Sequence, residues 1–340
     1  MFEHLGKAGI GVALVLGLGA CDVEDSSPYD EPLGDWVDDD GRIVMRTGVS
    51  NDSVVNGQVI NGIRCNGLRV NGLRVNGLRV NGLRVNGSAL NSPQMNGNRL
   101  QARNASNDVL EAHDLEDLRL DMDHEDPNDQ SVTQIEQSVT EVEVAANGLV
   151  LNTLKFRELP AGTWQSSCEN NAKAIQLKGD WDVNTGERIS DDPSASTWAC
   201  LGGALGDCAS WGYIPGNTYA GASLNNYHQT CIRLKRADYC GNGTHHTLNG
   251  HPLDVYDKVS MMTPEASLAW NIEGFWGPNG ALCLNHTRKT NYSKYTNDGS
   301  KTYIGCNIPA CVDVNSDGQI NFADYPTALM ANKSVPMDPY

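Results

Sequence analysis

Apolar residues recur at every fifth position between Asn51 and Leu100, in ten consecutive units of five residues. Asn opens each unit, and four successive units have the identical sequence NGLRV. Within a unit, Leu-Arg-Val alternates between apolar and polar side chains, which is the period of a short β-strand. Asn-Gly then supplies a turn, because both residues tolerate positive φ. A short strand and a corner, repeated, predict a small β-solenoid with its apolar positions inside.

The unit Leu-Arg-Val-Asn-Gly resembles the pentapeptide-repeat family, whose members form a right-handed, four-sided β-helix. This resemblance implies a short pentapeptide-type solenoid over residues 51–100. The alternative is a flexible linker rich in Asn and Gly. A linker, however, has no need of an apolar residue at every fifth position.

Beyond the repeat, the polar pattern is mainly that of strands. Alternating apolar and polar residues predict three of them, at Leu118–Met122, Val139–Val144 and Ala174–Trp181. One helix is predicted from an N-cap at Asn226 through Tyr239, with Gly241 beyond its end. The predicted fold class is therefore mainly β, with a short solenoid followed by a domain over residues 101–305 that contains few helices.

The N-terminus has the pattern of an export signal. Lys7 precedes an apolar run from Ala8 to Ala20, which is too short to span a membrane and is typical of the core of a signal peptide. The run ends in Leu-Gly-Ala followed by Cys21, which resembles a bacterial lipobox. The alternative is an ordinary signal peptide in which this cysteine is incidental.

The lipobox resemblance implies that Cys21 is lipidated and becomes the mature N-terminus. Residues 1–21 would then be a lipoprotein signal peptide and residues 22–50 an acidic tether. The expected location is the cell envelope, where the lipid anchor holds the protein in the outer membrane or at the cell surface. The expected partners are the membrane itself and an envelope protein or glycan.

Charge narrows the choice of partners further. The formal net charge is −17, and it is concentrated in two stretches. Residues 22–40 contain nine acidic and no basic residues, and residues 101–145 contain thirteen acidic residues against two arginines. Nucleic acid is excluded as an expected partner, because phosphate binding needs a basic surface. Both acidic stretches are interpreted as solvated spacers.

Export also determines how the ten cysteines are interpreted. Cys21 is assigned to lipidation, and Cys65 occupies an inward position of the repeat. An even number then remains, and an even set in an exported domain predicts four disulfides of undetermined connectivity. Zinc binding is the alternative, although no CxxC or HxxxH spacing occurs. The eight cysteines are Cys168, Cys200, Cys208, Cys231, Cys240, Cys283, Cys306 and Cys311.

Four segments within this region carry a more specific resemblance. They are Ala199–Tyr213, Arg236-Ala-Asp-Tyr-Cys240, Leu253–Asp257 and Trp276–Cys283. Together they resemble the ADYC domain of myxobacterial exported proteins and lipoproteins, over about residues 105–290. The resemblance implies an exported, disulfide-rich domain and carries no activity with it.

The C-terminal region, residues 306–340, contains a loop with the spacing of a calcium site. An EF-hand-type loop needs oxygen ligands at positions 1, 3, 5 and 12, a glycine at position 6 and a backbone carbonyl at position 7. The expected calcium ligands are Asp313, Asn315, Asp317, Gln319 and Asp324. Asp rather than Glu at position 12 makes the loop 313–324 more similar to a dockerin loop. The alternative is a turn-rich tail that satisfies the pattern without binding metal.

Other candidate chemistry is sparse. His245 and His246, with Asp254 and Asp257, could supply an acid, a base or metal ligands. Adjacent histidines in a strand or turn point in different directions, which disfavours a shared site. Six tryptophans could line a glycan or peptide groove, but the core of a small β domain is the favoured place for them: Trp164, Trp181, Trp198, Trp211, Trp270 and Trp276.

These patterns lead to one functional hypothesis and one alternative. The hypothesis is a non-catalytic cell-surface lipoprotein with a structural, display or adhesion role and a calcium-binding loop. The alternative is an exported hydrolase that acts on polysaccharide or peptide.

Overall fold

A computed structural model describes residues 74–75, 78–125, 132–182, 185–190, 195–247, 251–264 and 269–337. Three predicted features lie outside these residues: the signal peptide with Cys21, the acidic tether, and the repeat units before residue 74 with Cys65.

The described residues are mainly β, with two α-helices, α1 (Ala204–Ser210) and α2 (Leu224–Arg236). Short 3-10 helices cover Ala112–Leu115 and Glu169–Asn171. In chain order the strands are β1 (Arg74–Val75), β2 (Leu78–Val85), β3 (Ser88–Ala89), β4 (Asn91–Asn96), β5 (Arg99–Arg103), β6 (Val109–Glu111), β7 (Leu118–Glu125), β8 (Val132–Val144), β9 (Val150–Glu158), β10 (Gln165–Ser166), β11 (Ala174–Lys178), β12 (Asp180–Trp181), β13 (Arg188–Ser190), β14 (Ala195–Cys200), β15 (Thr218–Tyr219), β16 (Ala222–Ser223), β17 (Leu253–Asp257), β18 (Asn271–Gly277), β19 (Gly280–Leu284), β20 (Tyr292–Ser293), β21 (Thr302–Tyr303) and β22 (Met330–Ser334). Two of the predicted strands and the predicted helix are confirmed, with shifted bounds. The third predicted strand, Ala174–Trp181, is divided into β11 and β12, which belong to different sheets. In the described part of the chain, neither helix has the length and apolar composition needed to cross a membrane.

Nine strands form the largest sheet, in the order β1-β14-β11-β9-β8-β7-β2-β3, with β10 added to β9. β1 pairs with β14 in parallel and with β2 in antiparallel orientation, so the strands from β1 to β2 in this order form a ring to which β3 is added. The remaining pairs are antiparallel, as between β7 and β8. Apolar side chains from one face of these strands pack against β4 and β5, which form a separate sheet with β6.

The end of the repeat belongs to these two sheets. In β2, Leu83 and Val85 are buried and Arg84 is half-exposed, so the predicted in-out-in alternation is confirmed for this unit. Asn86 and Gly87 have φ values of 50° and 78° and form the predicted turn into β3. However, β2 pairs antiparallel with β7, and no closed solenoid coil is seen in the described units from residue 74 to residue 100.

The second acidic stretch, residues 101–145, is part of the fold. The prediction of a solvated spacer is wrong there, because the stretch contributes all of β6, β7 and β8. Its acidic side chains alternate with buried apolar ones, and some of them pair with arginines of the sheet. Glu136 forms ion pairs with Arg84, Arg119 and Arg157 at 2.9, 3.4 and 2.5 Å. Charge composition alone did not reveal this pairing.

α2 has a buried face and well-defined ends. Its N-cap is Ser223 rather than Asn226, and the Ser223 hydroxyl accepts a hydrogen bond from the Asn225 N–H. Ala237 ends the helix in the left-handed conformation, at φ 50°. The apolar face of α2, which includes Tyr227, Cys231 and Leu234, is buried and packs with α1 and with residues of β11 and β14.

A four-stranded antiparallel sheet, in the order β17-β22-β18-β19, packs on the other side of α2. Its strand β22 lies between β17 and β18 and comes from the C-terminal region 306–340. The segment that contains the candidate calcium loop therefore supplies an inner strand of the domain. The strand β5 likewise runs across position 100/101, where the sequence separated the repeat from the domain.

The eight predicted cysteines form four disulfides: Cys168–Cys200, Cys208–Cys231, Cys240–Cys306 and Cys283–Cys311. The number of disulfides is confirmed, and the structure supplies the connectivity that the sequence left open. One bond joins α1 to α2, and another joins β19 to Cys311, which lies two residues before Asp313, the first residue of the candidate calcium loop. All eight cysteines are oxidised, so none of them is a thiolate ligand for zinc.

Candidate functional site

The candidate calcium loop is an exposed turn closed by its own polar side chains. Asp313 accepts hydrogen bonds from the Asp317 and Gly318 N–H groups at 3.2 and 2.7 Å. Asn315 Oδ1 accepts from the same Asp317 N–H at 3.0 Å, and Asp317 Oδ1 accepts from the Gln319 N–H at 2.9 Å. Gly318 adopts φ 84°, which a glycine reaches without the strain of a side chain. These contacts hold loop positions 1, 3 and 5 on one tight turn.

Asp324, at loop position 12, is largely buried beneath this turn. Its Oδ1 accepts hydrogen bonds from the Val314 and Asn315 N–H groups, and its Oδ2 accepts from the Asn321 N–H, at 2.8 to 2.9 Å. These backbone donors, Asn321 first, hold the pKa of Asp324 below its usual range. Asp324 therefore ties the end of the loop to its beginning as a carboxylate.

The chemistry of the donor set fits a hard cation, since every candidate side chain offers only oxygen. Each ionised carboxylate has about four lone-pair sites, so accepting an N–H leaves sites for a cation. The described residues contain no group of three or more His, Cys, Asp or Glu side chains placed to hold a metal ion. In this structure the acidic side chains of the loop accept hydrogen bonds from backbone N–H groups of the same loop.

Aromatic packing docks the loop onto the four-stranded sheet. Tyr325 stacks on Phe275 of β18 at 4.9 Å between ring centroids, and Phe322 meets the same ring edge-on at 5.3 Å. The Cys283–Cys311 disulfide fixes the other end of the loop to β19. The loop is therefore attached to the sheet at both of its ends.

The four residues Ala237–Cys240 lie at the end of α2, and each has a separate structural role. Ala237 ends the helix, and Cys240 is disulfide-bonded to Cys306. Asp238 is fully buried, where it forms an ion pair with Arg233 at 2.7 Å and accepts hydrogen bonds from the Asn242 and Gly243 N–H groups. This segment reverses the chain and fastens it to the helix.

Tyr239 joins the same turn to a buried polar network. Its hydroxyl donates to Glu273 at 3.1 Å and accepts from the Arg288 N–H at 2.8 Å. Glu273 also accepts from Arg288 Nε, from Asn332 at 2.6 Å and from Ser334 at 2.6 Å. Burial alone would raise the pKa of Glu273, but Arg288 and the hydroxyl and amide donors hold it below its usual range. The network links α2, β18 and β22.

Comparison with known families matches this region. A family model for the ADYC domain covers residues 112–290, which is more than half of the chain. The chain belongs to the ADYC domain family. The expected resemblance to the ADYC domain is therefore confirmed over these residues, and Ala237–Cys240 lies among them. No curated protein and no solved structure matches this ADYC protein.

The structure separates the residues that the sequence offered as acid–base candidates. His246 Nδ1 lies 3.1 Å from the Ala237 carbonyl oxygen at the end of α2, and burial lowers the pKa of His245 to about 4. Asp257 belongs to a different network, where it accepts hydrogen bonds from the Tyr213 hydroxyl and from the backbone of the turn after β17, including the Met262 N–H. His246 and Asp257 therefore make structural contacts in this ADYC protein.

The tryptophans divide into core and surface positions. Trp181, Trp198 and Trp276 are buried, which confirms the core interpretation for these three. Trp164 is half-buried and lies between the guanidinium groups of Arg119 and Arg157, at 4.8 and 4.7 Å from its ring centroid. It covers the ion pairs of Glu136 and does not line an open groove with the other three.

Sequence reasoning missed the Glu273–Arg288 pair. One signal was present, because Glu273 follows an isoleucine and precedes Gly-Phe-Trp in β18. A charged residue inside such an apolar strand is rarely buried without a partner. Its partner Arg288 lies beyond the next strand, and no local pattern connects the two residues.

Proposed function

We propose that this ADYC protein is a non-catalytic protein of the cell envelope, with a display, adhesion or structural role, whose C-terminal loop binds Ca²⁺. Membership of the ADYC family and four disulfides support export to an oxidising compartment. The observation that carries the calcium proposal is the tight turn that holds Asp313, Asn315 and Asp317 above Asp324.

In this proposal, the side chains of Asp313, Asn315, Asp317 and Asp324 and the backbone carbonyl of Gln319 hold the ion. The cation supplies positive charge that offsets repulsion among the three carboxylates. Asp324 would connect the ion to the aromatic contacts on Phe275, and Asp313 would connect it to the Cys283–Cys311 disulfide. Calcium would therefore stabilise β22 and the sheet around it. Such a module works where calcium is millimolar, as it is outside cells.

Calcium should raise the thermal stability of the oxidised full-length protein. Extracellular calcium modules bind at about 10⁻⁴ to 10⁻³ M, so 10 mM Ca²⁺ should add about 1.4–2.7 kcal/mol to the unfolding free energy. The measurement is thermal unfolding in 10 mM CaCl₂ against 10 mM MgCl₂, which keeps ionic strength equal. Asp317→Ala should abolish the difference between the two salts.

The matched control is Asp298→Ala. Asp298 is also an exposed aspartate that accepts hydrogen bonds from its own turn, at Ser300 and Lys301. This variant should keep the full calcium response. The calcium proposal fails if the wild-type protein unfolds at the same temperature in both salts, or if Asp317→Ala responds as strongly as Asp298→Ala.

We also propose that Cys21 carries the lipid anchor and that residues 22–73, including any solenoid coil of the repeat units before residue 74, space the domain from the membrane. An envelope protein or glycan is the proposed partner of the displayed domain. The support is the apolar run before Cys21 and the acidic segment after it.

The anchor is tested by phase partition and mass spectrometry. The wild-type protein should enter the detergent phase and begin with an acylated Cys21, because about 0.8 kcal/mol is gained per buried CH₂ of the acyl chains. Cys21→Ser should remain in the aqueous phase or retain its signal peptide. Cys65→Ser, at the other cysteine outside the disulfides, is the control and should partition as the wild type does. A mature N-terminus at any other residue would refute the anchor.

A further inference from the structure

Arg236, the last residue of α2, is buried with most of its hydrogen-bonding capacity unused. The residue is 2% exposed, and its Nη2 donates to the Gly243 carbonyl. Its Nε and Nη1 are buried and have no acceptor. A buried guanidinium that lacks acceptors loses its hydration without compensation, so such a group calls for a bound water or ion.

Other donors meet Arg236 at the same place. The chain from Gly243 to His246 curls around its side chain, and the His246 N–H donates to the Arg236 carbonyl at 3.1 Å. His245 Nδ1 is also buried without a partner. Lys289 is 9% exposed, and its ammonium lies 5.3 Å from the Tyr292 ring centroid. The Tyr292 ring in turn meets the His246 ring edge-on, at 5.1 Å between centroids. Three nitrogen-bearing side chains therefore converge on one small region.

The charges here are predominantly positive, in a protein whose net charge is −17. Burial and, after it, the positive charges of Arg236 and Lys289 lower the pKa of His245 to about 4. Asp238 is the carboxylate beside them, but it already forms an ion pair with Arg233. Its charge is thus shared between two guanidinium groups, and Lys289 adds a third cation.

The end of α2 does not supply the missing acceptors. The last carbonyl groups of the helix, at Leu234 and Lys235, accept hydrogen bonds from Arg288. Arg288 is itself neutralised by Glu273 at 3.0 Å. The helix terminus is therefore satisfied by a separate ion pair, and Nε and Nη1 of Arg236 find no acceptor there.

We propose that Arg236, His245 and Lys289 form a binding site for a small inorganic anion, such as chloride or phosphate. The unused N–H groups of Arg236 would donate to the anion. The Nδ1 of neutral His245 would donate in its N–H tautomer, and Lys289 would supply charge. Because the anion would bind the folded state only, its binding energy adds directly to stability. The site is separate from the calcium loop and does not depend on it.

The experiment is thermal unfolding of the oxidised full-length protein at pH 7.5 in sodium chloride, sodium phosphate or sodium gluconate at equal ionic strength. Gluconate is the control because it is too bulky for an enclosed site. Chloride or phosphate should raise the melting temperature by several degrees, with saturation, since a hundredfold excess over Kd adds about 2.7 kcal/mol. Arg236→Met keeps the apolar stem, removes the charge and should abolish the difference among the salts.

Lys289→Gln provides a second test if Arg236→Met does not fold. It should fold and should raise the anion concentration at half-effect at least threefold, because one attractive charge is lost. Lys301→Gln, at an exposed lysine of the loop before Cys306, is the control and should leave that concentration unchanged. Equal melting temperatures of the wild type in all three salts would overturn the proposal, because water alone would then satisfy Arg236. The proposal would also be overturned if Lys289→Gln left the anion concentration at half-effect unchanged. The same holds if the melting temperature of Arg236→Met responded to the three salts as that of the wild type does.

Discussion

Replacing Glu273 by Gln should destabilise the protein by about 3–5 kcal/mol, because it leaves Arg288 as a buried charge without a partner. Both side chains are fully buried, and Arg288 Nε lies 3.0 Å from the Glu273 carboxylate. Three further donors, from Tyr239, Asn332 and Ser334, point at the same carboxylate. The measurement is urea unfolding at neutral pH with the disulfides intact.

A matched surface variant separates burial from the loss of a carboxylate as such. Glu141→Gln also removes a carboxylate that accepts hydrogen bonds, from Lys173 and Thr153, but at the exposed surface. It should change the unfolding free energy far less than Glu273→Gln does. Arg288→Met should cost about as much as Glu273→Gln, and the double variant less than the sum of the two. Equal effects of Glu273→Gln and Glu141→Gln would contradict the structural role of the network.

Acid should weaken the protein between pH 6.5 and about 3, and His228 should account for a large part of the loss. His228 is fully buried, and its Nε2 donates to the Leu205 carbonyl at 3.1 Å. Burial lowers the pKa of His228 to about 3, and Arg188 lowers it slightly as well. Unfolded His228 takes up a proton below pH 6.5 whereas folded His228 does not, so stability is complete above pH 6.5 and is lost as pH falls. Across this interval the loss is about 4–5 kcal/mol.

The measurement is the slope of unfolding free energy against pH between 4 and 6. His228→Gln retains an N–H that can donate to Leu205 but cannot titrate, so its slope should be smaller by about 1.4 kcal/mol per pH unit. The control is His113→Gln, at an exposed histidine in the 3-10 helix after β6, which should leave the slope unchanged. The same slope in wild type and His228→Gln would show that His228 is protonated in the folded protein.

The segment that follows α2 has a structural role in this ADYC protein. The four residues Ala237–Cys240 act together at the end of α2, as a helix cap, a buried ion pair, a hydroxyl in a polar network and a disulfide. Each role concerns the folded structure and none of them reaches solvent as an open site. These four residues are thus explained by stability, and function is to be sought at the candidate calcium loop and around the side chain of Arg236.

Local sequence determined the elements and their chemistry. Alternating residues at Leu118–Met122 and Val139–Val144 led to strands, because the side chains of a strand point to opposite faces. The in-out-in order of Leu83 to Val85 was also predictable. The oxygen-bearing spacing of residues 313–324 and the even number of cysteines likewise depend on residues close in the chain or on composition.

Tertiary structure alone decided how these elements meet. A repeat unit can pair with its own neighbours or with any other open strand edge, and in β2 the partner is β7, some forty residues away. The number of acidic residues in 101–145 suggested a solvated segment. In the structure, however, Glu136 forms ion pairs with arginines of three different strands. Tertiary structure likewise decided which cysteines pair and that Glu273 meets Arg288. Such contacts depend on which surfaces the whole chain brings together, and no short segment of sequence encodes that choice.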